Sequence, residues 1–321
     1  MVTVETGARL HFGFQNLSLA HERLYGGVGV ALDEPRIVVD VERATDVLCD
    51  DDEATPYVRN AVEVLGVDGA EVTVRERFGR HVGLGSGTQL ALACLVGMAE
   101  AYGVTVDPRE SAPALGRGGQ SGIGVATFEA GGFVVEAGHP TERFTTQPPD
   151  RGSWEVPRPI FRQSLPDSWR FVLVTPGAET GRSGVAEAES MESVVENADP
   201  GIADEIASVL THRLLPGIVE ADLDAFGSSI SRLGRLNGAW YADEQGGVYR
   251  PPAGRLVEAL DSGDAIAGVG QSSWGPTVYG VTTAGSTDQA VETAEAVLER
   301  TGIDGTVRLV SPRNTGATVR P

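Results

Sequence analysis

Glycine and hydroxyl residues crowd into positions 83–88, GLGSGT, directly ahead of an apolar stretch over 90–99. A glycine-rich turn at a helix N-terminus offers backbone N–H groups and the positive end of the helix dipole to an anion. Gly83, Gly85 and Gly87 let the backbone approach a phosphate closely, and the Ser86 and Thr88 hydroxyls add donors. The turn is neither common nucleotide motif, because no Lys-Ser/Thr pair follows and the G-x-G-x-x-G spacing is absent. A tight strand-to-helix turn without a ligand fits the segment equally well.

Three more blocks carry chemistry. In 116–139, Gln120, Ser121 and Gly122 read as a second ligand loop, with Glu129 and His139 as the titratable groups nearby. Each also fits a structural part: Gly131-Gly132 a hairpin turn, Glu129 a solvated strand residue, His139 a strand end. In 268–276, Gln271, Ser272, Ser273 and Trp274 form a loop longer than a hairpin needs. It folds over a ligand, or it is a long hairpin plugged by Trp274. In ARLHFGF, Arg9 and His11 alternate with Leu10 and Phe12, which places both polar groups on one strand face, suited to a phosphate or carboxylate. An exposed Arg and a His satisfied by backbone is the plainer alternative.

The elements around these blocks are α+β. Strand patterns cover 2–10, 36–41 and 71–78, and helical patterns cover 54–65 and 87–102, the latter apolar nearly all round and so expected to be buried. Residues 127–136 read as two short strands about Gly131-Gly132. Residues 140–166 are rich in proline and polar residues without a period, so the boundary falls there, giving domains 1–160 and 161–321. The second half alternates a strand (170–175), helices (184–197, 202–219, 223–236, 253–262), strands (265–269, 277–283), a helix (287–300) and a strand (306–310). That order is the split βαβ, ferredoxin-like pattern. Ser286 and Gln289 have capping-box spacing, and Gly302 closes the last helix.

Composition narrows the chemistry. All 25 basic residues are Arg, and the net charge is −20. Mechanisms that need a lysine are excluded, and so are nucleic acid and anionic membrane as partners of the bulk surface. An acid surplus without lysine fits a salt-rich cytosol; a GC-rich genome accounts for the missing lysine but not for the acids. Cys49 and Cys94 make neither a disulfide framework nor a zinc site. The longest apolar run, 90–99, is far short of the roughly 20 residues of a membrane span, and the start lacks a signal-peptide pattern, so a cytoplasmic protein is expected.

In this order the four blocks resemble the GHMP kinase superfamily. Within it, ARLHFGF, YGGVGVALDEP, GLGSGTQLALA, GRGGQSGIGVATFEAGGFVVEAGH and GVGQSSWGPTVYGV resemble the β-ribofuranosylaminobenzene 5′-phosphate synthase family over essentially the whole chain. The resemblance implies a two-domain GHMP-kinase-like fold, with an N-terminal α/β domain and a C-terminal ferredoxin-like domain. It implies condensation of phosphoribosyl pyrophosphate with 4-aminobenzoate, releasing pyrophosphate and carbon dioxide, in methanopterin-type biosynthesis. It also implies Mg2+ and a homodimer. Carried onto this sequence, the loops at 83–88 and 120–122 would take the two phosphate groups, and Arg9, His11, Glu129 and His139 are the candidate catalytic side chains. Arg9 would hold the acceptor carboxylate, Trp274 or Phe128 would stack on its ring, Glu129 would bind Mg2+, and His139 would bond a phosphate. Many superfamily kinases carry an Asp where this chain has Gly124, which argues against the alternative, an ATP-dependent small-molecule kinase.

Overall fold

The structure is a computed structural model that describes residues 1–144, 150–177 and 185–321. The first half contains β1 (Val2–Asn16), β2 (Arg23–Arg43), β3 (Val47–Cys49), α1 (Thr55–Leu65), β4 (Ala70–Glu76), α2 (Ser86–Tyr102), α3 (Pro108–Ser111), α4 (Ile123–Ala130), β5 (Phe133–Glu136), β6 (His139–Pro140) and β7 (Pro159–Gln163). The second contains β8 (Trp169–Pro176), α5 (Val185–Asn197), α6 (Pro200–Val209), α7 (Leu215–Val219), α8 (Leu223–Gln245), α9 (Ala253–Leu260), β9 (Gly268–Gln271), β10 (Val278–Thr283), α10 (Thr287–Thr301), β11 (Gly305–Val310) and β12 (Thr318–Arg320).

Two sheets result. One runs β12-β1-β2-β4-β3, with β5 and β6 also paired to β2 and β7 paired to β5. The other is an antiparallel β11-β8-β10-β9 sheet. On one face of that second sheet, α9 and α10 pack through Leu256, Leu260, Ala294 and Val297. Helix α2 packs against β1, β2, α1 and α4, which is why nearly every side chain from Leu90 to Ala99 is buried, as its all-round apolar pattern predicts.

The two halves share a core. Phe12 meets Tyr279 at 5.1 Å and Phe226 at 6.1 Å, ring centre to ring centre, and Phe133 meets Phe226 at 6.1 Å. One aromatic core is thus continuous across both sheets.

Several expectations need correction. Residues 127–130, read as the first of the two short strands of 127–136, belong instead to helix α4. Its Ile, Val and Phe favour a strand locally, yet Ile123 and Ala126 bury against Val134, and Gly131 (φ 62°) and Gly132 (φ 76°) turn the chain into β5. The capping box at Ser286 does not form: its hydroxyl accepts from Thr283 Oγ1 at 3.4 Å, and no side chain caps α10. The αL cap at Gly302 does form (φ 65°). Strand β7 spans the 160/161 boundary and pairs with β5, and β12 returns to β1. Of the segment 140–166, residues 145–149, and of the expected helix 184–197 its first residue, lie outside the described residues.

The ion pairs are mostly solvent-facing, such as Arg232–Glu205 and Arg235–Asp261. Such pairs contribute little, whereas the −20 net charge opposes compaction at low ionic strength. The melting temperature is therefore expected to rise steadily from dilute buffer into concentrated potassium chloride. A salt-independent melting temperature would remove the salt-adapted reading.

Candidate functional site

A cavity of about 550 Å³ opens where β1, the loop ahead of α2, residues 116–121 and the β9–β10 loop converge. Strand β1 delivers Arg9 and His11. Its register against β2 shifts between Gly7 and Arg9 and again between His11 and Gly13, so bulges bracket both side chains. At the second bulge Gly13 adopts φ 148°, and a Cβ there would meet the Asn237 side chain at 2.5 Å. Asn237 accepts from the Phe14 N–H at 2.7 Å and donates to the Phe14 carbonyl at 3.0 Å, locking α8 onto the bulged strand.

The loop ahead of α2 is clasped by the second domain. Gly83 and Gly85 adopt φ 91° and 81°. The Gly83 carbonyl accepts from Arg9 Nη1 at 2.6 Å and from Ser272 Oγ at 2.7 Å. Ser273 N–H donates to the His11 carbonyl at 3.1 Å, and His11 N–H donates to Ser272 Oγ at 3.1 Å. A Cβ on Gly275 would lie 2.1 Å from the Gly83 nitrogen, so the two glycine loops touch backbone to backbone. Gly85 precedes helix α2 without a side-chain cap, leaving the Ser86 and Gly87 N–H groups to an incoming anion while the Thr88 N–H is held by the Gly85 carbonyl at 3.2 Å.

Arginines supply the charge. The Arg117 guanidinium lies 5.0 Å over the Tyr57 ring and donates to its hydroxyl at 2.8 Å. Arg117 Nε is buried and has no hydrogen-bond partner among the described residues. Arg80 lies 5.9 Å over the same ring, and burial with Arg80 and Arg117 pulls the His81 imidazole below its ordinary value. With Arg9, three guanidinium groups face a lining without Asp or Glu, a positive well in an acidic protein.

Below the cavity wall lies a buried carboxyl. Glu136 is fully enclosed; it accepts from the Gly27 N–H at 2.8 Å and from the Gly122 N–H at 2.6 Å. Burial pushes it up to about 7 against those donors and Arg109. Ser121 Oγ lies 3.2 Å from His11 Nε2. Burial, then Arg9, hold the His11 imidazole down to about 3, so it is neutral.

Of the residues singled out in the sequence, Arg9, His11, Gly83, Gly85, Ser86, Gly87, Thr88, Gln120, Ser121, Ser273 and Trp274 line this cavity. The others do not. Ser272 is buried in the clasp, and Gly122 is spent on Glu136. Gln271 accepts from the Arg250 N–H and donates to the Ser273 carbonyl, in a smaller adjoining recess. Glu129 is ion-paired with Arg109, outside the lining. His139 bonds the Gly119 carbonyl and packs edge-on to Tyr25, holding the loop from behind. Phe128 is buried in the N-terminal core and cannot stack on a ligand. Among the described residues no cluster of His, Cys, Asp or Glu could hold a metal, and the cavity lining offers hydroxyls without carboxylates. The described residues therefore offer no protein cage for Mg2+, and Glu129, ion-paired with Arg109 outside the lining, does not fit that role.

Arg117, Arg80, Tyr57 and Glu136 were not singled out. Arg117 stands inside the GRGG run and Glu136 is the one acid in FVVEA, the signals that could have exposed them. Gly124 sits over Thr88, whose Cγ2 a Cβ would meet at 3.0 Å, so a larger side chain there would crowd the anion loop.

Comparison with known proteins adds relatives. Residues 55–132 match the GHMP kinases N terminal domain. A beta-ribofuranosylphenol 5'-phosphate synthase of Methanothermobacter thermautotrophicus is 32% identical, over 98% of this chain and 97% of its own. One from Archaeoglobus fulgidus is 36% identical over 88% of each. Among solved structures, Leishmania major mevalonate kinase in complex with R-mevalonate superposes with a TM-score of 0.70 at 14% identity, covering 97% of this chain and 96% of its own. The mevalonate pyrophosphate decarboxylase of Streptococcus pyogenes does so at 0.68 and 12%, covering 98% and 97%. These structural likenesses establish the fold.

Proposed function

The chain belongs to the family of the beta-ribofuranosylphenol 5'-phosphate synthases, on a GHMP kinase fold, and from that membership we propose that it joins a phosphorylated ribosyl donor to a para-substituted benzoate through carbon. The donor is phosphoribosyl pyrophosphate. The acceptor is 4-aminobenzoate or its hydroxy counterpart, the latter in keeping with the phenol in the relatives' name. The observation that carries this reading is the three-arginine well at an uncapped helix N-terminus, beside an aromatic wall of Phe14 and Trp274.

The chemistry follows from those parts. The anomeric C–O bond breaks and its electron pair leaves on the diphosphate, whose charge Arg80, Arg117 and the first-turn amides of α2 receive. The ring carbon bearing the carboxylate bonds to the anomeric carbon, drawing electrons from the para substituent. The carboxylate then departs as carbon dioxide and the ring regains aromaticity. Arg9 and His11 are two residues apart on one strand face, roughly 6.6 Å, a span close to that between the two polar ends of a para-substituted benzoate. Arg9 takes the carboxylate end. The loop clasp and Trp274 keep water from the ribosyl cation. Magnesium, for which the lining has no carboxylate, would travel on the diphosphate, and no step is assigned to it. A homodimeric, cytoplasmic enzyme completes the proposal; no helix among the described residues is long and apolar enough to cross a membrane.

Purified protein given both substrates is expected to release pyrophosphate and carbon dioxide in equal amounts. With carboxyl-labelled acceptor the label leaves as gas. Label retained in a ribosylated product, or ADP formed from ATP and a small alcohol, overturns the reading.

A further inference from the structure

Arg117 stands between two glycines in GRGG. Gly116 adopts φ 72° and Gly118 φ 77°, so the chain on either side of the arginine is of the kind that turns freely. Local backbone preference therefore does not decide where Arg117 points, and outside partners must. The Arg117 N–H donates to the Ala112 carbonyl at 2.8 Å. The guanidinium rests on Tyr57. The Arg117 carbonyl accepts from the Trp154 indole N–H at 2.9 Å. That third bond fixes the peptide plane between Arg117 and Gly118, the swivel directly after the side chain.

Trp154 belongs to a strap, residues 150–158, that runs against the glycine loop and contributes nothing to the cavity lining. A Cβ on Gly118 would strike Val156 at 2.6 Å, and one on Gly119 would meet the indole at 3.7 Å, so strap and loop are in contact. Arg109 holds one end of the strap by donating to the Pro157 carbonyl at 2.7 Å. Arg151 holds the other by donating to Asn60 at 3.1 Å and to Glu63 at 2.9 Å. Asn60 and Glu63 stand on α1, the helix that also carries Tyr57. One helix thus sets the guanidinium directly and, through the strap, the backbone that bears it.

We propose that Trp154 is a positioning residue that acts through Arg117, aiming its guanidinium at the diphosphate end of the sugar donor. The proposal rests on the family reading, which supplies that donor. Trp154 itself touches no substrate. Trp154→Phe keeps a ring beside Gly119 and removes the N–H. Trp154 is only half-buried, so water replaces the lost donor on the Arg117 carbonyl and no polar group is stranded. What is lost is direction: the peptide beside Gly118 turns, and the guanidinium leaves the line along which its charge-assisted bonds form.

The test uses the full chain as wild type, Trp154→Phe, Arg117→Met and the double variant, each titrated with inorganic pyrophosphate by calorimetry. The dissociation constant is expected to rise roughly tenfold in Trp154→Phe, the effect of one lost hydrogen bond that organises a site. In the double variant it is expected to equal that of Arg117→Met, because an absent arginine has no aim to lose. In turnover, kcat/KM for phosphoribosyl pyrophosphate falls by a similar factor in Trp154→Phe, while KM for the aromatic acceptor and the melting temperature hold. An unchanged constant in Trp154→Phe, or losses that add in the double variant, overturns the proposal and leaves the strap as packing. A wild type that binds pyrophosphate but turns over no sugar donor strikes the family reading alone, since the four titrations still decide what Trp154 does. A wild type that binds no pyrophosphate overturns both.

Discussion

Arg117→Met lowers kcat/KM for the sugar donor by about 10²–10³-fold, the loss typical of removing one donor aimed at developing negative charge. The Arg117 guanidinium is held 5.0 Å over the Tyr57 ring, with one nitrogen on the Tyr57 hydroxyl and a buried Nε without a partner among the described residues. A planar group fixed this way is organised for an anion before the anion arrives. Methionine keeps the packing on the ring and removes the charge, so the melting temperature should hold within a few degrees. Isothermal titration with inorganic pyrophosphate separates binding from turnover: the dissociation constant should rise with the lost donor. An unchanged constant would assign Arg117 to packing on Tyr57 alone. A Cβ at Gly87 would come within 3.2 Å of the same guanidinium, so the loop and the arginine enclose one subsite.

Gly275→Ala is expected to cost about 4 kcal/mol or more and to abolish turnover at assay temperature, placing it among the rare severe substitutions. The added carbon would sit 2.1 Å from Gly83 N and 2.3 Å from Gly83 Cα and the Val82 carbonyl carbon. All three are backbone, so no side chain can swing aside and the two loops must part. Parting them breaks the bonds from Ser272 and Ser273 to the Gly83 loop and His11. Gly254→Ala in α9 is the control, since its Cβ meets nothing closer than 3.6 Å and alanine favours helix there. Equal melting temperatures for the two variants would show that the clasp yields without cost.

What the sequence made legible was local. The glycine turn leading into α2, the single face of Arg9 and His11, and the αL cap at Gly302 each follow from neighbours within a few residues. What escaped depends on distant partners. Residues 127–130 look strand-like until Ile123 and Ala126 ahead of them pack on Val134 and carry helix α4 through to Ala130, and Ser286 loses its capping role to Thr283. Glu129 looks as suitable as any acid until Arg109 claims it, whereas Glu136, placed among valines, becomes interesting only once Gly27, Gly122 and Ser121 surround it. The bulges that aim Arg9 and His11 come from register against β2, which no single-strand pattern reveals. Arg117 and Tyr57 lie far apart in the chain, so their stacking has no local signature.

The pairing of β12 with β1 joins Thr3 to Arg320, nearly the whole chain apart. During synthesis the outer edge of β1 must therefore wait, its N–H and C=O groups unpaired, until the last strand leaves the ribosome. A contact of that range makes the first sheet one of the last parts of the molecule to be completed, although its strands are made first. An open strand edge held that long is a site for wrong pairing with other chains, and Glu5, with Arg36 beside it, places charge on that edge meanwhile.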